Sequence, residues 1–342
     1  MSSDDRKSER SEACEKIKTA REPSEAGPER KGGAAEGMSS DDRKSERSEA
    51  CDDFWYALCD PAQKPFAVEL DPPEAADVTK FMHGVRELKE AGAAIVTIAD
   101  CPIARARMDS SLLACKVRRE LHMEALPHMT CRDRNLNAAK ALLLGLSAEE
   151  IQNILIVTGD PIPSASRDEV KSVYNFNSRM LAQFVRDLGE TVLPTPMHVF
   201  GALNVNARNF SVQLKLAEEK LKSGICGFLT QPVLTEQGLE NLKLARQTLG
   251  DSAKLLGGII PIVSQRNAQF MSSEVAGISV DPRLIDLYEG CDRAAGEALA
   301  QKISLQVAAA IAPWVDGYYL ITPFGRTTLM SRIMADIRRC AL

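Results

Sequence analysis

A carboxylate set inside an apolar run is the first place to look for chemistry, and Val68-Glu69-Leu70-Asp71-Pro72-Pro73 supplies one. Burying Glu69 beside Val68 and Leu70 costs free energy unless its charge is paired or neutralised. Burial raises a carboxyl pKa, which suits a general acid working near neutral pH. A structural carboxylate bonded to backbone amides or an arginine fits the same residue equally well, and Glu69 alone does not divide the two readings. The habit recurs, however. Other apolar runs end on Thr97 and Asp100, on Pro127-His128-Met129-Thr130-Cys131-Arg132-Asp133-Arg134-Asn135, and on Thr158-Gly159-Asp160-Pro161. Later runs end on Ala202-Leu203-Asn204, Thr230-Gln231-Pro232 and Thr322-Pro323-Phe324-Gly325-Arg326. Repetition of this kind points to a site.

Other chemistry-bearing residues have plainer readings. His83 and His122 lie on helical patterns with no second ligand at metal spacing, so they read as surface or core histidines and no metal is expected. His128 closes an apolar run, where a ligand contact and simple packing are equally consistent. Cys131 and Cys226 read as small core hydrophobes, and Glu218–Lys222 as a solvated helix face.

The elements that must position these residues alternate along the chain. Strand-like runs are Ala67–Leu70, Ala94–Ile98, Ala125–Cys131, Ile154–Thr158, His198–Leu203, Gly227–Val233, Leu255–Val263 and Tyr318–Thr322. Each is short, apolar and rich in β-branched or aromatic residues, as strands covered on both faces are. Amphipathic helical patterns lie between them, among them Ala75–Ala91, Ser111–Leu121, Ser178–Leu188, Phe210–Ser223, Glu236–Leu249, Cys291–Ala312 and Thr327–Arg339. This alternation predicts an α/β fold of parallel β/α units, and eight units favour a closed (β/α)8 TIM barrel. A doubly wound sheet is the competing topology. Against it, the turn after the first strand is Asp71-Pro72-Pro73 and carries no GxGxxG.

The barrel is expected over residues 53–342. Residues 1–52 are a polar tail, rich in Ser, Glu, Lys, Arg and Gly, in which MSSDDRKSERSEAC occurs at 1–14 and again at 38–51. Such a segment buries too little apolar surface to offset its ordering entropy, so disorder is expected there. The exact copy reads as a duplication or a start-site artefact, with Met38 as the alternative start.

A net charge of −5 and a pI of about 5.6 give no basic face for a phosphate backbone, so nucleic acid is not an expected partner. The nine cysteines form no CxxC pair and read as reduced thiols. With no apolar run long enough for a bilayer and a charged amino terminus, the expectation is a cytoplasmic protein without membrane contact.

At its strand ends the sequence resembles the methylenetetrahydrofolate reductase family. The segments VELDPP, PHMTCRDRN, NILIVTGDP, GALNVN, FLTQPV, GGIIPIVSQRNAQF and YYLITPFGR match that family's in order, from roughly residue 55 to the end. The likeness is greatest to the reductase half of bacterial fusions with a homocysteine methyltransferase. The resemblance implies a TIM barrel that holds FAD at the carboxyl ends of its strands. It implies NAD(P)H or another electron donor, such as a donor protein, as co-substrate. It also implies reduction of 5,10-methylenetetrahydrofolate to 5-methyltetrahydrofolate, in one-carbon and methionine metabolism, and a homo-oligomer is expected.

Carried over residue by residue, the resemblance makes Glu69 the catalytic acid that opens the folate five-membered ring. Asp160 becomes the aspartate beside the flavin pyrimidine and the pterin, and Gln231 the glutamine bonded to the folate ring. Thr97, His128, Val157, Thr158, Gly159, Tyr174, Asn206 and Lys220 fall on flavin-contact positions. Gln265, where some relatives have a stacking aromatic, and Arg326 fall in the substrate-binding region. Gln213 and Leu216 depart from the polar or charged residues that meet the flavin diphosphate and ribose in a well-known bacterial form. Two rival readings remain: an accessory, non-catalytic barrel in an electron-transfer complex, and a flavin or deazaflavin barrel acting on another substrate.

Overall fold

The computed structural model describes residues 53–340 apart from residue 276. The polar tail, its duplicated segment and Met38 lie outside the described residues. A short helix, α1 (Asp53–Cys59), precedes the first strand. The order is then β1 (Phe66–Leu70), α2 (Thr79–Glu90), β2 (Ile95–Ile98), α3 (Ser110–Leu121), β3 (Glu124–Thr130), α4 (Leu136–Ala148) and β4 (Asn153–Val157). It continues through α5 (Ser178–Thr191), β5 (His198–Leu203), α6 (Phe210–Lys222), β6 (Ile225–Pro232), α7 (Glu236–Leu249) and β7 (Lys254–Ile259). Two helices, α8 (Gln265–Glu274) and α9 (Pro282–Asp286), precede the long α10 (Arg293–Ile311); β8 (Gly317–Ile321) and α11 (Thr327–Arg339) follow.

All eight strands are parallel, each pairs with its sequence neighbours, and β8 pairs with β1 to close the barrel. The protein is therefore the (β/α)8 TIM barrel that the alternation predicts. Because side chains alternate across a strand, one set fills the lumen and the other meets the helices. Ala67, Ile95, Leu126, Leu155, Phe200, Leu229, Leu256 and Tyr319 pack together inside. Phe54 and Leu58 of α1 join that inner cluster, and Trp55 stacks on His198, the first residue of β5, at 4.2 Å between ring centroids. Helix α1 thus plugs the amino-terminal end of the barrel, and burying each large apolar anchor is worth ~1.5–3 kcal/mol. The outer layer joins Val68, Ile98, Phe228 and Leu320 to helical residues such as Val85, Leu113, Leu181 and Met330.

The end of β7 differs most from the periodicity. The apolar run expected as a strand over Leu255–Val263 is strand only to Ile259, since Pro261 has no N–H for a ladder. Its remainder is a buried loop leading to α8. The patterns also do not single out α1, α4 or α8.

Candidate active site

Alternation carries inward every second residue of each strand, so the side chains next above the inner apolar layer can be named. Above Ala67 comes Glu69, above Ile95 Thr97, above Leu126 His128, above Leu155 Val157, and above Leu229 Gln231. Register places Glu69 opposite Thr97 on one side and Ile321 on the other. Glu69 therefore sits in the lumen at the carboxyl end of β1, with its side chain only 16% exposed.

Its surroundings decide its charge. The Tyr319 hydroxyl donates a hydrogen bond to Glu69 Oε2. His128 Nε2 lies 3.6 Å from the same oxygen. Burial, reinforced by the nearby Asp71 carboxylate and opposed by the Tyr319 bond, pushes the Glu69 carboxyl up to about 7. Burial alone holds the His128 imidazole down at about 3, so His128 is neutral and its contact with Glu69 is no ion pair. The Tyr319 phenol is driven well above its usual range by burial and by Glu69, and it remains a donor. Two buried polar atoms here lack a well-aligned partner: His128 Nε2, and Thr97 Oγ1 beside the Tyr319 hydroxyl.

A second polar layer ties down the loops above β2, β3 and β4. Asp100 Oδ2 accepts from the Thr130 backbone N–H at 2.9 Å, the Thr130 hydroxyl at 3.1 Å and the Arg134 guanidinium at 2.8 Å. Arg134 reaches on to Asp109, the N-cap of α3, at 2.7 Å. Arg132, 2% exposed, forks onto Asp133 and donates to the carbonyls of Asp160 at 3.2 Å and Cys101 at 3.3 Å. The loop after β2 runs through left-handed φ values at Cys101 (46°), Ile103 (55°) and Ala104 (52°), a strain that needs outside support. Arg132 gives part of it. Asp160 gives more, accepting the Ile103 N–H at 2.8 Å.

At the end of β4, Thr158 and Asp160 are exposed and Val157 and Gly159 half-buried. Gly159 has φ +90°, and a Cβ there would meet Thr130 Cβ at 3.0 Å and Arg132 Cβ at 3.1 Å. Tyr174, with φ 37°, lies on the following loop with its hydroxyl towards the Gly159 carbonyl. Gln231, half-buried at the end of β6, lies against the bend at Gly277, where a Cβ would meet Gln231 Cδ at 3.3 Å and the Asn204 amide at 3.4 Å. Gln265 is the first, half-buried residue of α8.

Three residues carried over by resemblance are engaged elsewhere. Lys220 sends its ammonium to the Ala202 carbonyl at 2.8 Å, 6.0 Å from the centroid of Phe228, a ring of the outer layer. Its place is under the helices, because a buried ammonium needs an acceptor and a β5 carbonyl is within reach. Asn206 gives its amide to the carbonyls of Pro232 at 3.0 Å and Gly277 at 2.9 Å, joining two loops. Arg326 donates to Glu297 of α10 at 2.7 Å, and the same carboxylate also takes Arg332 and Arg293. Conversely, Tyr319, Arg132 and Arg134 belong to the polar layers without having been singled out as site residues. Tyr319 was legible in principle: it has inward parity on the strand that closes against β1.

A closed parallel barrel with a titratable cluster at the carboxyl ends of its strands defines a TIM-barrel protein whose candidate site lies where that fold carries chemistry. The family model described as methylenetetrahydrofolate reductase matches residues 57–313, and the chain belongs to that family. Among solved structures, the chain is similar to an uncharacterised protein from Clostridium thermocellum that binds two copies of 5-methyl-5,6,7,8-tetrahydrofolic acid. The two share 12% identity with a TM-score of 0.61, over 84% of this chain and 98% of that one. It is also similar to a riboflavin lyase solved with modified FMN and riboflavin, at 10% identity and a TM-score of 0.52, over 81% of this chain and 91% of that one. At these identities the likeness is one of fold. No curated protein matches the chain in sequence.

Proposed function

We propose that this protein reduces 5,10-methylenetetrahydrofolate to 5-methyltetrahydrofolate with FAD as its flavin, drawing electrons from NAD(P)H or a donor protein. The observation that carries the proposal is Glu69: a lumen carboxyl held near pH 7 at a strand end, in a chain of the methylenetetrahydrofolate reductase family. Membership supports a folate-directed reductase, and the Clostridium thermocellum neighbour, which holds the methylated folate, has the same fold. The activity belongs to one-carbon metabolism leading to methionine.

The chain's residues fit a flavin at the mouth. Thr97 Oγ1 and His128 Nε2 are buried polar atoms without well-aligned partners, which a polar ring edge can satisfy. Val157, Thr158, Gly159 and Tyr174 line the adjoining end of β4 and its loop. A flavin bound there supplies the hydride chemistry. The remaining work falls to side chains. Protonated Glu69 gives its proton to a nitrogen of the folate five-membered ring as the ring C–N bond breaks, leaving the iminium that accepts hydride. Gln231 offers both a donor and an acceptor to the pterin, and Asp160 accepts from its amino-pyrimidine edge.

The test is an absorbance spectrum of the purified protein, then anaerobic titration with NADH, NADPH and methylenetetrahydrofolate. Flavin absorbance bleached by a nicotinamide and restored by the folate is the expected result. Absorbance restored by folate only after chemical reduction assigns the donor to a protein. A chain that cannot be loaded with FAD, or a reduced flavin that ignores the folate, overturns the proposal.

A further inference from the structure

We propose that Tyr319 is a positioning residue for Glu69: by occupying Oε2 it leaves Oε1 as the oxygen that carries and delivers the proton. The inference rests on the reading of Glu69 as the acid. The geometry comes from barrel closure. Ala67 pairs with Tyr319 across β1 and β8, and Glu69 with Ile321, so Tyr319 lies diagonally below Glu69 on the same inner face. A side chain as long as tyrosine spans that diagonal, and its hydroxyl ends on Oε2.

The surroundings leave the phenol one role towards Glu69. Asp71 faces the carboxyl from the end of β1, Thr97 from β2, His128 from β3 and Tyr319 from β8. Arg107, on the loop after β2, acts on Asp71 and is itself bound to Glu74 and the Pro72 carbonyl. His128 is neutral and Tyr319 keeps its proton, so the phenol donates and the carboxyl accepts. In a protonated carboxyl the carbonyl oxygen is the better acceptor. Oε2, taken by the phenol, is therefore the carbonyl, and the hydroxyl is Oε1.

The step that follows balances. The Oε1–H bond breaks and an N–H bond forms on the folate ring nitrogen. The ring C–N bond breaks with its electron pair going to that nitrogen. The carboxylate left behind keeps the hydrogen bond from Tyr319, which is worth more to the anion than to the neutral acid. Tyr319 thus favours the form of Glu69 that the step generates.

Tyr319→Phe in the full chain tests this by two readouts. The first is the infrared carbonyl band of protonated Glu69, identified by its loss in Glu69→Gln and titrated with pH, which does not depend on flavin loading. Losing the bond to the anion should move that titration to higher pH by about one pH unit. The second is the rate of folate reduction by prereduced, FAD-loaded protein, expected to fall by up to about tenfold on the acid side of its profile, with its alkaline limb displaced the same way. A 3-fluorotyrosine at position 319, a stronger donor of nearly the same shape, should move both to lower pH, and it gives the answer even where the phenylalanine variant does not fold. If the band and limb stay at their wild-type pH while Glu69→Gln has lost folate reduction, Tyr319 only fills the lumen and the proposal fails alone. If Glu69→Gln still reduces folate, the reading of Glu69 as the acid fails and this proposal with it.

Discussion

Glu69, Thr97 and His128 were legible as lumen residues because strand parity is a period-two property, and a run such as Phe66-Ala67-Val68-Glu69-Leu70 fixes its own parity once one member is known to face inward. Tyr319 was legible by the same parity, but its significance emerges only when β8 is set beside β1 and its hydroxyl reaches Glu69. Lys220, on α6, and Asn206 and Arg326, on loops after strands, show what pattern leaves out: each spends donors on backbone carbonyls or on Glu297. Pattern locates a residue, whereas hydrogen-bond partners decide whether it is available. If Glu69 is the acid, Glu69→Gln should leave FAD bound and reducible by its donor while folate reduction falls about 10²–10⁴-fold. Stopped-flow measurement of the two half-reactions separates these effects, and a defect in flavin reduction instead would mean that Glu69 is misassigned. Gln231→Ala should weaken folate binding by about 1–3 kcal/mol, the range for a buried polar partner left unpaired, as read from the folate Kd of the oxidised protein. Arg326→Ala, by contrast, should leave that Kd within twofold and lower stability by about 1 kcal/mol or less, because its guanidinium is engaged with the shared Glu297 carboxylate.

At the scale of elements, strands read more plainly than helices. Helix α4 has the sequence Leu136-Asn137-Ala138-Ala139-Lys140-Ala141-Leu142-Leu143-Leu144-Gly145-Leu146-Ser147-Ala148, apolar on nearly every side, so no polar face marks its period. What no periodicity announces is the way the loops above β2, β3 and β4 are locked together. Arg132 does much of this, reaching from the end of β3 to carbonyls on both neighbouring loops while its own carbonyl accepts the Val173 N–H at 2.7 Å. Replacing it by methionine keeps length but leaves Asp133 and two carbonyls without their donor, at a cost of about 3 kcal/mol. Urea unfolding should show that loss, and amide exchange at Ile103 should speed up as the strained loop is released. Gly159→Ala acts on the same junction by another route. At φ +90° with Thr130 and Arg132 Cβ atoms 3.0–3.1 Å away, an alanine meets both backbone strain and contact. About 1–3 kcal/mol of stability should go, and the flavin should be held less tightly if the end of β4 is its seat.

For the whole molecule, the two titratable groups of the lumen make opposite demands on pH, and their signs follow from linkage. Glu69 lies near 7 in the folded barrel against an ordinary 4.5, so between those values the folded state holds more protons than the unfolded chain. Stability contributed by Glu69 is therefore present at low pH and lost as pH rises through 7, by about 3 kcal/mol in all. His128 lies near 3 when folded against an ordinary 6.5, so between those values the unfolded chain holds the extra proton. Its contribution is present above pH 6.5 and is lost as pH falls, by about 3 kcal/mol on reaching pH 4. Each substitution should then flatten a different limb of the curve. Measured by urea unfolding from pH 4 to 8, Glu69→Gln should gain on the wild type steadily as pH rises and be ahead most at pH 8. His128→Asn should gain as pH falls and be ahead most at pH 4. The m-values should stay constant, since neither change alters the surface exposed on unfolding. The double variant should fall short of the sum, because the two side chains lie 3.6 Å apart and each desolvates the other. Parallel curves for wild type and Glu69→Gln would mean that Glu69 is ionised in the folded barrel at neutral pH, and the acid assigned to it would have to be sought in another residue.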